Sequence, residues 1–467
     1  MKPRPAIPSG PYLVVGLARS GVAAALALRE LGEEVLGLDA GTPSAAGALR
    51  DAGAELFLDD RDGTALLDRV HVVVKSPGVP AQAPVIEAAR RRGTPVLGEL
   101  ELAWRLLVNE FIAVTGTNGK TTTVELIGHI HREAGLPVAV AGNVGTALSS
   151  LVGSLDPAAT VVCEVSSFQL EDTLAFAPEA AVLLNITPDH LDRHGTLEQY
   201  AAAKLQVFAR QDANDVAIVP RELPEPIARA TPSPAAQPGS SAALPGNARR
   251  IDFGWEPEAA LFALDGELWW QARGLVALGE MRLRGRHNAE NAMAAAAVCL
   301  ARGIDRELVS AALRSFPGVD HRLQEVATLD GVLYVNDSKA TNVASTLVAL
   351  QAFAGRPVHL ILGGQGKGQD FSGLREPVEG ACAAVYLIGE HAATIAVALR
   401  NLAAPVLECG DLEHALAAAR AEAAEAGHVA GAGPVVLLSP ACASFDQFPD
   451  YEARGRRFRD LVEKLQG

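Results

Sequence analysis

Residues 116–122 read Gly116, Thr117, Asn118, Gly119, Lys120, Thr121, Thr122, between the apolar run FIAV and a helix-forming run. Glycines let successive backbone N–H groups turn toward an anion. Lys120 would place an ammonium beside the outer phosphates of a nucleotide, and the Thr121 hydroxyl is a hard oxygen ligand for Mg²⁺. The common phosphate loop has four residues between its glycines; only Thr117 and Asn118 stand there, so this is a shortened version. A tight turn with an incidental lysine explains many bare G-x-x-G-K matches, but the strand–loop–helix context favours nucleotide binding. Glu164 ends a later apolar run, VVCE, and suits a magnesium ligand on the same sheet edge. His190 follows another apolar run and could reach a metal or a phosphate. Lys204 lies in an apolar helical stretch, YAAAKLQVF, where it could snorkel to solvent. As a neutral amine it could instead add CO₂, giving a carbamate oxygen ligand near Mg²⁺.

The elements that must position these residues alternate between strand and helix. YLVV, a glycine turn and a helix open the chain; EEVLGLD and VHVVVKSPG follow, forming a doubly wound unit of about a hundred residues. Gly16 and Gly21 lack the middle glycine of the dinucleotide fingerprint, so a diphosphate at the helix N-terminus is favoured over NAD. A second unit starts at EFIAVTG and continues through ATVVCEVSSF and AAVLLNI, each with polar residues at its C-terminal end. Residues 220–250, rich in Pro, Ala and Ser, read as a mobile surface loop. LFALDGELWW reads as a hairpin turning at Asp265-Gly266, and GRHNAENAMAAAAVCLARG as a helix. A third α/β unit comprises GVLYVNDSKATN, PVHLILGGQGKGQDF, AVYLIGE and PVVLLSPACASFDQF, with a closing helix to Gly467.

A chain of 467 residues predicts roughly three domains. Hydrophobic residues at 49% and charged residues at 20% suit a globular protein, and no signal peptide or membrane-spanning run is visible. Five scattered cysteines without a C-x-x-C pair argue for a reducing cytoplasm and against a disulfide framework or zinc site. Cys442 reads as a buried small residue rather than a nucleophile. A formal net charge of −15 argues against nonspecific nucleic-acid binding, so anionic substrates must be met by local lysines, arginines and helix N-termini.

Seven stretches in this order carry a family resemblance: GTNGKTTT, EVSSFQLE, NITPDHLDRH, AAAKLQVF, GRHNAENAMAA, GVDHR and NDSKATN. Together they resemble the Mur ligase family, ATP-dependent amide-forming enzymes of peptidoglycan precursor synthesis and hence of cell shape and division. GLARSG and SPACASFDQF resemble the glutamate-adding branch. The resemblance implies an α/β fold of three domains. Residues 1–98 would be a Rossmann-like UDP-substrate domain, 99–318 a central ATPase-type domain, and 319–467 a Rossmann-like amino-acid domain.

On matching positions the resemblance implies that Gly116, Thr117, Asn118, Gly119, Lys120, Thr121 and Thr122 hold the ATP phosphates. Asn288 and Asn291 would meet the adenine side, and Arg322 with Asp337 the nucleotide from the third domain. Thr121 and Glu164 would hold one Mg²⁺, with His190 and a carbamoylated Lys204 at a second. Lys120, His190 and Lys204 are the implied catalytic residues. Arg19, Ser20, Asp39 and Gly78 match positions around UDP, and Asn143 the muramoyl part. Lys339, Thr341, Lys367, Ser444, Phe445 and Tyr451 match the glutamate pocket; at Tyr451 the family also uses phenylalanine.

The implied substrates are UDP-N-acetylmuramoyl-L-alanine and D-glutamate, joined by a cytoplasmic monomer with no nucleic-acid or membrane partner. A carboxylate is a poor electrophile; ATP would convert it to an acyl phosphate that an amine can attack, with domain closure excluding water. The alternatives are another ligase of this kind, including the folylpolyglutamate type, and an ATP-gated regulatory module. Asp337, Lys339 and Lys367 at the third sheet's edge argue against the module.

Overall fold

The computed structural model describes residues 2–143, 145–223, 244–283, 285–366, 368–425 and 433–465. The backbone divides into two compact units, Met1–Arg282 with Arg286–Phe316, and Leu283–Gly285 with Pro317–Gly467.

The first unit contains two sheets. Strands β1 (Tyr12–Val15), β2 (Val35–Leu38), β3 (Glu55–Phe57), β4 (Val72–Lys75) and β5 (Val96–Gly98) form a parallel sheet in the order β3-β2-β1-β4-β5. The runs YLVV, VLGL and VVVK are buried throughout, as expected of strands covered on both faces. Strand order reverses at β1, so the turns after β1 and β4 open on one crevice, the usual ligand position in such sheets.

Nine further strands follow in this unit: β6 (Phe111–Thr115), β7 (Val138–Gly142), β8 (Thr160–Glu164), β9 (Ala180–Leu183), β10 (Val216–Pro220), β11 (Arg249–Gly254), β12 (Leu261–Leu264), β13 (Glu267–Trp270) and β14 (Arg273–Ala277). Their order is β14-β13-β12-β11-β10-β9-β6-β8-β7, parallel from β7 to β12 and antiparallel beyond. The β12–β13 hairpin turns at Asp265 (φ 49°) and Gly266 (φ 78°), the paired left-handed conformation that an Asp-Gly turn supplies.

In the second unit β15 (Gln324–Leu329), β16 (Val332–Asn336), β17 (Val358–Gly363), β18 (Cys382–Ile388), β19 (Val406–Gly410) and β20 (Val435–Leu438) form a sheet in the order β15-β16-β20-β17-β18-β19. Only the β15–β16 edge is antiparallel.

The segment 220–250 is shorter as a loop than its composition suggests. Pro220 closes β10 and pairs with Phe253, and Arg249 opens β11. A proline is accommodated at a strand end, where its missing N–H costs no interior ladder bond. Residues 224–243 lie outside the described residues. All five cysteines are free. Among the described residues no helix is long and apolar enough to cross a membrane.

Candidate active site

The shortened loop joins β6 to the helix Lys120–Glu133, with Gly119 at the helix N-cap. Both glycines have backbone angles that disfavour other residues, φ 149° at Gly116 and 87° at Gly119. A Cβ on Gly119 would stand 2.1 Å from Asn291 Oδ1. Asn185, just beyond β9, accepts from the Thr117 N–H (3.0 Å) and, through its side chain, from the Asn118 N–H (2.9 Å). The Lys120 ammonium bends back over the loop, donating to the Gly116 (2.9 Å) and Thr117 (2.8 Å) carbonyls.

Thr121 Oγ1 donates to Glu164 Oε2 (2.8 Å), and Asn143 Nδ2 donates to the other carboxylate oxygen (3.2 Å). A hydroxyl and a carboxylate at a loop built for phosphate fit Mg²⁺, which keeps several waters and takes phosphate oxygens as further ligands. Among the described residues no group of three or more His, Cys, Asp and Glu side chains forms an all-protein cage. Asn288 and Asn291 are both buried on the helix Arg286–Ala301; Asn291 Nδ2 donates to Asn288 Oδ1 (3.2 Å), and Asn291 reaches the loop at Gly119.

Lys204 does not snorkel. Only 1% of it is exposed; its ammonium donates to the Gly116 carbonyl (2.9 Å) and lies 4.5 Å from the Tyr200 ring centroid. Burial, reinforced by the charge of Lys120, pushes its pKa down to about 7. His190 takes a left-handed conformation (φ 52°) with its ring 4.9 Å from Phe168 and 51% of its side chain exposed. No hydrogen bond joins His190 to Lys204 among the described residues.

Between them stands His194, which sequence reasoning passed over. Its Nε2 lies 2.9 Å from Ser167 Oγ and its Nδ1 3.1 Å from Glu171, while its ring stacks on Phe168 at 5.2 Å and 8°. Burial holds its pKa below the usual histidine value, opposed by Glu171. The signal was a pair of four-residue spacings: His190 to His194, and Ser167 to Glu171 along one helix face.

At the first sheet's edge a cavity of about 800 Å³ is lined by Leu17, Arg19, Val22, Leu26, Asp39 and Ala147, among others. Asp39 accepts from the N–H groups of Leu17 (2.6 Å) and Gly41 (2.9 Å), and Arg19 donates to the Gly145 carbonyl (2.7 Å). Ser20 lies in the first turn of the helix Arg19–Glu30. Its neighbour Gly21 is required by packing, since a Cβ there would meet the Gly16 carbonyl oxygen at 1.8 Å. Around Gly78 the space is open, with nothing within 4 Å of a Cβ.

In the second unit, candidates cluster where β16 and β20 end. Asp337 is buried, accepting from the Leu323 N–H (3.1 Å) and Ser439 Oγ (2.8 Å), and burial pushes its pKa up to about 7. Lys339 Nζ lies 5.8 Å from the Tyr451 ring centroid. Thr341 precedes the helix Val343–Ala352, whose N-cap is Asn342, and Arg322 bridges to Val319. Ser444 is buried, whereas Phe445 is 64% exposed. Lys367 lies outside the described residues. Cys442 is buried and its thiol pushed up to about 12, which suits packing rather than nucleophilic attack.

Residues 114–299 match the Mur ligase middle domain, and 321–442 the Mur ligase glutamate ligase domain. The chain is 46% identical to the UDP-N-acetylmuramoylalanine–D-glutamate ligase of Anaeromyxobacter dehalogenans (strain 2CP-C), with 96% of each chain covered. It is 40% identical to the ligase of the same name from Solibacter usitatus (strain Ellin6076), covering 97% of this chain and 98% of that one. In fold it resembles the UDP-N-acetylmuramate-alanine ligase of Thermotoga maritima (TM-score 0.58, 20% identity, 98% and 99% covered). It likewise resembles the MurF ligase of Thermotoga maritima solved with ADP (TM-score 0.55, 17% identity, 93% and 96% covered). A shortened phosphate loop facing a strand-end glutamate, set within these full-length similarities, places the chain in the Mur ligase family, among its UDP-N-acetylmuramoylalanine–D-glutamate ligases.

Proposed function

We propose that this protein uses ATP to join D-glutamate to UDP-N-acetylmuramoyl-L-alanine, forming an amide in peptidoglycan precursor synthesis. The observation that carries the reading is the convergence of the 116–122 loop, Glu164 and the buried Lys204 on one sheet edge. The three sheets divide the work: 1–98 holds the UDP-sugar, 99–318 ATP, and 319–467 the amino acid.

The alanyl carboxylate attacks the γ-phosphorus, ADP leaves, and the product is an acyl phosphate. The glutamate amine then attacks the acyl carbon, and the tetrahedral adduct collapses with loss of inorganic phosphate. Negative charge accumulates in the first step. The backbone N–H groups at the N-terminus of the helix Lys120–Glu133 and the Lys120 ammonium, swung off the Gly116 and Thr117 carbonyls, answer it. The Thr117 and Asn118 N–H groups hold the loop to Asn185. Bound Mg²⁺, held by Thr121 and Glu164, would neutralise phosphate charge. The Asn288–Asn291 pair holds the nucleoside end, and Asn143 orients the sugar-linked acyl group. A carbamate formed by addition of CO₂ to the Lys204 amine would, with His190, hold a second Mg²⁺ and supply it an anionic oxygen. The protein works as a monomer in the cytoplasm.

The test is ATP turnover over a panel of amino acids with and without UDP-N-acetylmuramoyl-L-alanine. Turnover should require both that substrate and D-glutamate. ADP release without the UDP-sugar would indicate a regulatory ATPase, and preference for an amino acid without a side-chain carboxylate a different ligase.

A further inference from the structure

Arg454 lies in the first turn of the helix Tyr451–Glu463, and only 1% of it is exposed. Its Nε donates to Ser338 Oγ (2.9 Å), and its Nη2 to the carbonyls of Ser338 (2.8 Å) and Cys442 (3.1 Å). Nη1 donates to the Ala443 carbonyl (3.3 Å). None of these acceptors is a carboxylate. Burial of the charge pushes its pKa down to about 10. A buried cation without a direct counter-ion is expensive, and full hydrogen bonding by a rigid guanidinium fork is what makes it tolerable.

That fork spans two turns. Ser338 lies in the turn leaving β16, between Asp337 and Lys339; Cys442 and Ala443 lie in the turn leaving β20, just before Ser444. A third turn is tied to them. Gln365 and Ala443 exchange backbone hydrogen bonds of 2.9 and 3.0 Å. Gly364, at φ 132°, has no room for a Cβ, which would lie 2.3 Å from the Ala443 oxygen and 3.2 Å from Arg454 Nη1. These turns carry Lys339, Thr341, Ser444 and Phe445 and lead into Lys367.

We infer that Arg454 is the positioning residue of the amino-acid pocket: its fork fixes the spacing between the turns that present Lys339, Thr341 and Ser444, and so selects a dicarboxylic amino acid. The inference rests on the reading of the second unit as the glutamate-binding unit.

Arg454→Lys keeps the charge but loses the fork. It is compared with the wild type by amide hydrogen exchange and by kinetics with each substrate varied. Amides of 338–341 and 442–445 should exchange on the order of tenfold faster, with those of 116–119 unchanged. KM for D-glutamate should rise on the order of tenfold, while those for ATP and the UDP-sugar stay near wild type. Unchanged exchange in both turns overturns the inference whatever amino acid the enzyme uses; an equal rise in all three KM values also overturns it. Ser338→Ala, which removes one acceptor, covers a failure of Arg454→Lys to fold. It should show the same pattern more weakly, and no effect on exchange or on the glutamate KM overturns the inference. A wild type that makes no product from D-glutamate would overturn the functional reading, while the exchange comparison still decides the role of Arg454.

Discussion

Lys120 and Lys204 donate to the same acceptor, the Gly116 carbonyl, each at 2.9 Å. Two ammonium groups on one oxygen repel, and Lys204, the more buried, is the one whose proton is weakened. Lys120→Ala should lower the rate of acyl-phosphate formation by at least about a hundredfold and leave UDP-sugar affinity near wild type; trapping the acyl phosphate and calorimetry give the two readouts. Lys204 has a pH signature. Its folded pKa lies near 7, against 10.5 ordinarily, so between those values the unfolded chain holds a proton that the folded one does not. Its contribution to stability therefore rises with pH across that window and is at its most unfavourable below it. Lys204→Met should be more stable than wild type near pH 6, with the gain shrinking towards about pH 10, as followed by urea unfolding without CO₂. A gain independent of pH would mean that the amine does not titrate there. With ¹³C-labelled bicarbonate the wild type should show a carbamate carbon signal that Lys204→Met lacks.

Elements lock to each other through few residues, and Lys75 is the clearest case. It ends β4 immediately before the turn 76–78, is 1% exposed, and pairs with Asp172, just past the helix Ser167–Glu171, at 2.5 Å. Arg90 touches the same carboxylate at 3.3 Å. The turn 76–78 is thereby tied to the helix that carries Phe168. Asp172→Ala would strand a buried ammonium and should cost about 3–5 kcal/mol. Lys75→Met leaves Asp172 with Arg90 and should cost less, as urea unfolding would show; the reverse order would mean that Arg90 does not stand in for Lys75 at the Asp172 carboxylate. Long buried runs such as FIAVT and VHLILG were legible as strands because both faces of a parallel sheet are apolar. Pro220 and the Arg249–Arg250 pair were not, because a strand-end proline and arginines carry no strand periodicity. The Asp330-Gly331 turn, with φ of 49° and 79°, carried the same signal as Asp265-Gly266 and was overlooked. His194 escaped notice because its partners, Ser167 and Glu171, lie more than twenty residues away and only folding brings them to its ring.

At the scale of the whole molecule, residues with candidate roles gather at the C-terminal edges of three separate sheets: after β1 and β2, after β6 and β8, and after β16 and β20. The edge positions were legible because an apolar run that stops at a polar residue marks a strand's end. Arg454 was not, since a helical arginine in YEARGRRF looks solvated until its four acceptors are known. The same separation predicts the kinetics. If each edge holds one substrate, a substitution at one edge should raise one KM and spare the others. Arg19→Ala, at an exposed side chain lining the cavity of the first sheet, should raise the KM of the UDP-sugar. Lys367→Ala should act on glutamate alone. Glutamate brings two carboxylates, and an unpaired buried carboxylate is costly, so its pocket must offer a cation as well as hydroxyl and backbone donors. Lys367 follows β17 in the glycine-rich stretch GGQGKGQ, and in sheet order β17 is the neighbour of β20, which leads to Ser444. Removing an ammonium from a carboxylate contact loses about 1.5–3 kcal/mol, or roughly ten- to hundredfold in KM. A rise of that size for D-glutamate, with the ATP and UDP-sugar values within about twofold, is the expected result. Equal losses for all three would place the glutamate contact on another residue of the same edge, with Lys339 the first to substitute.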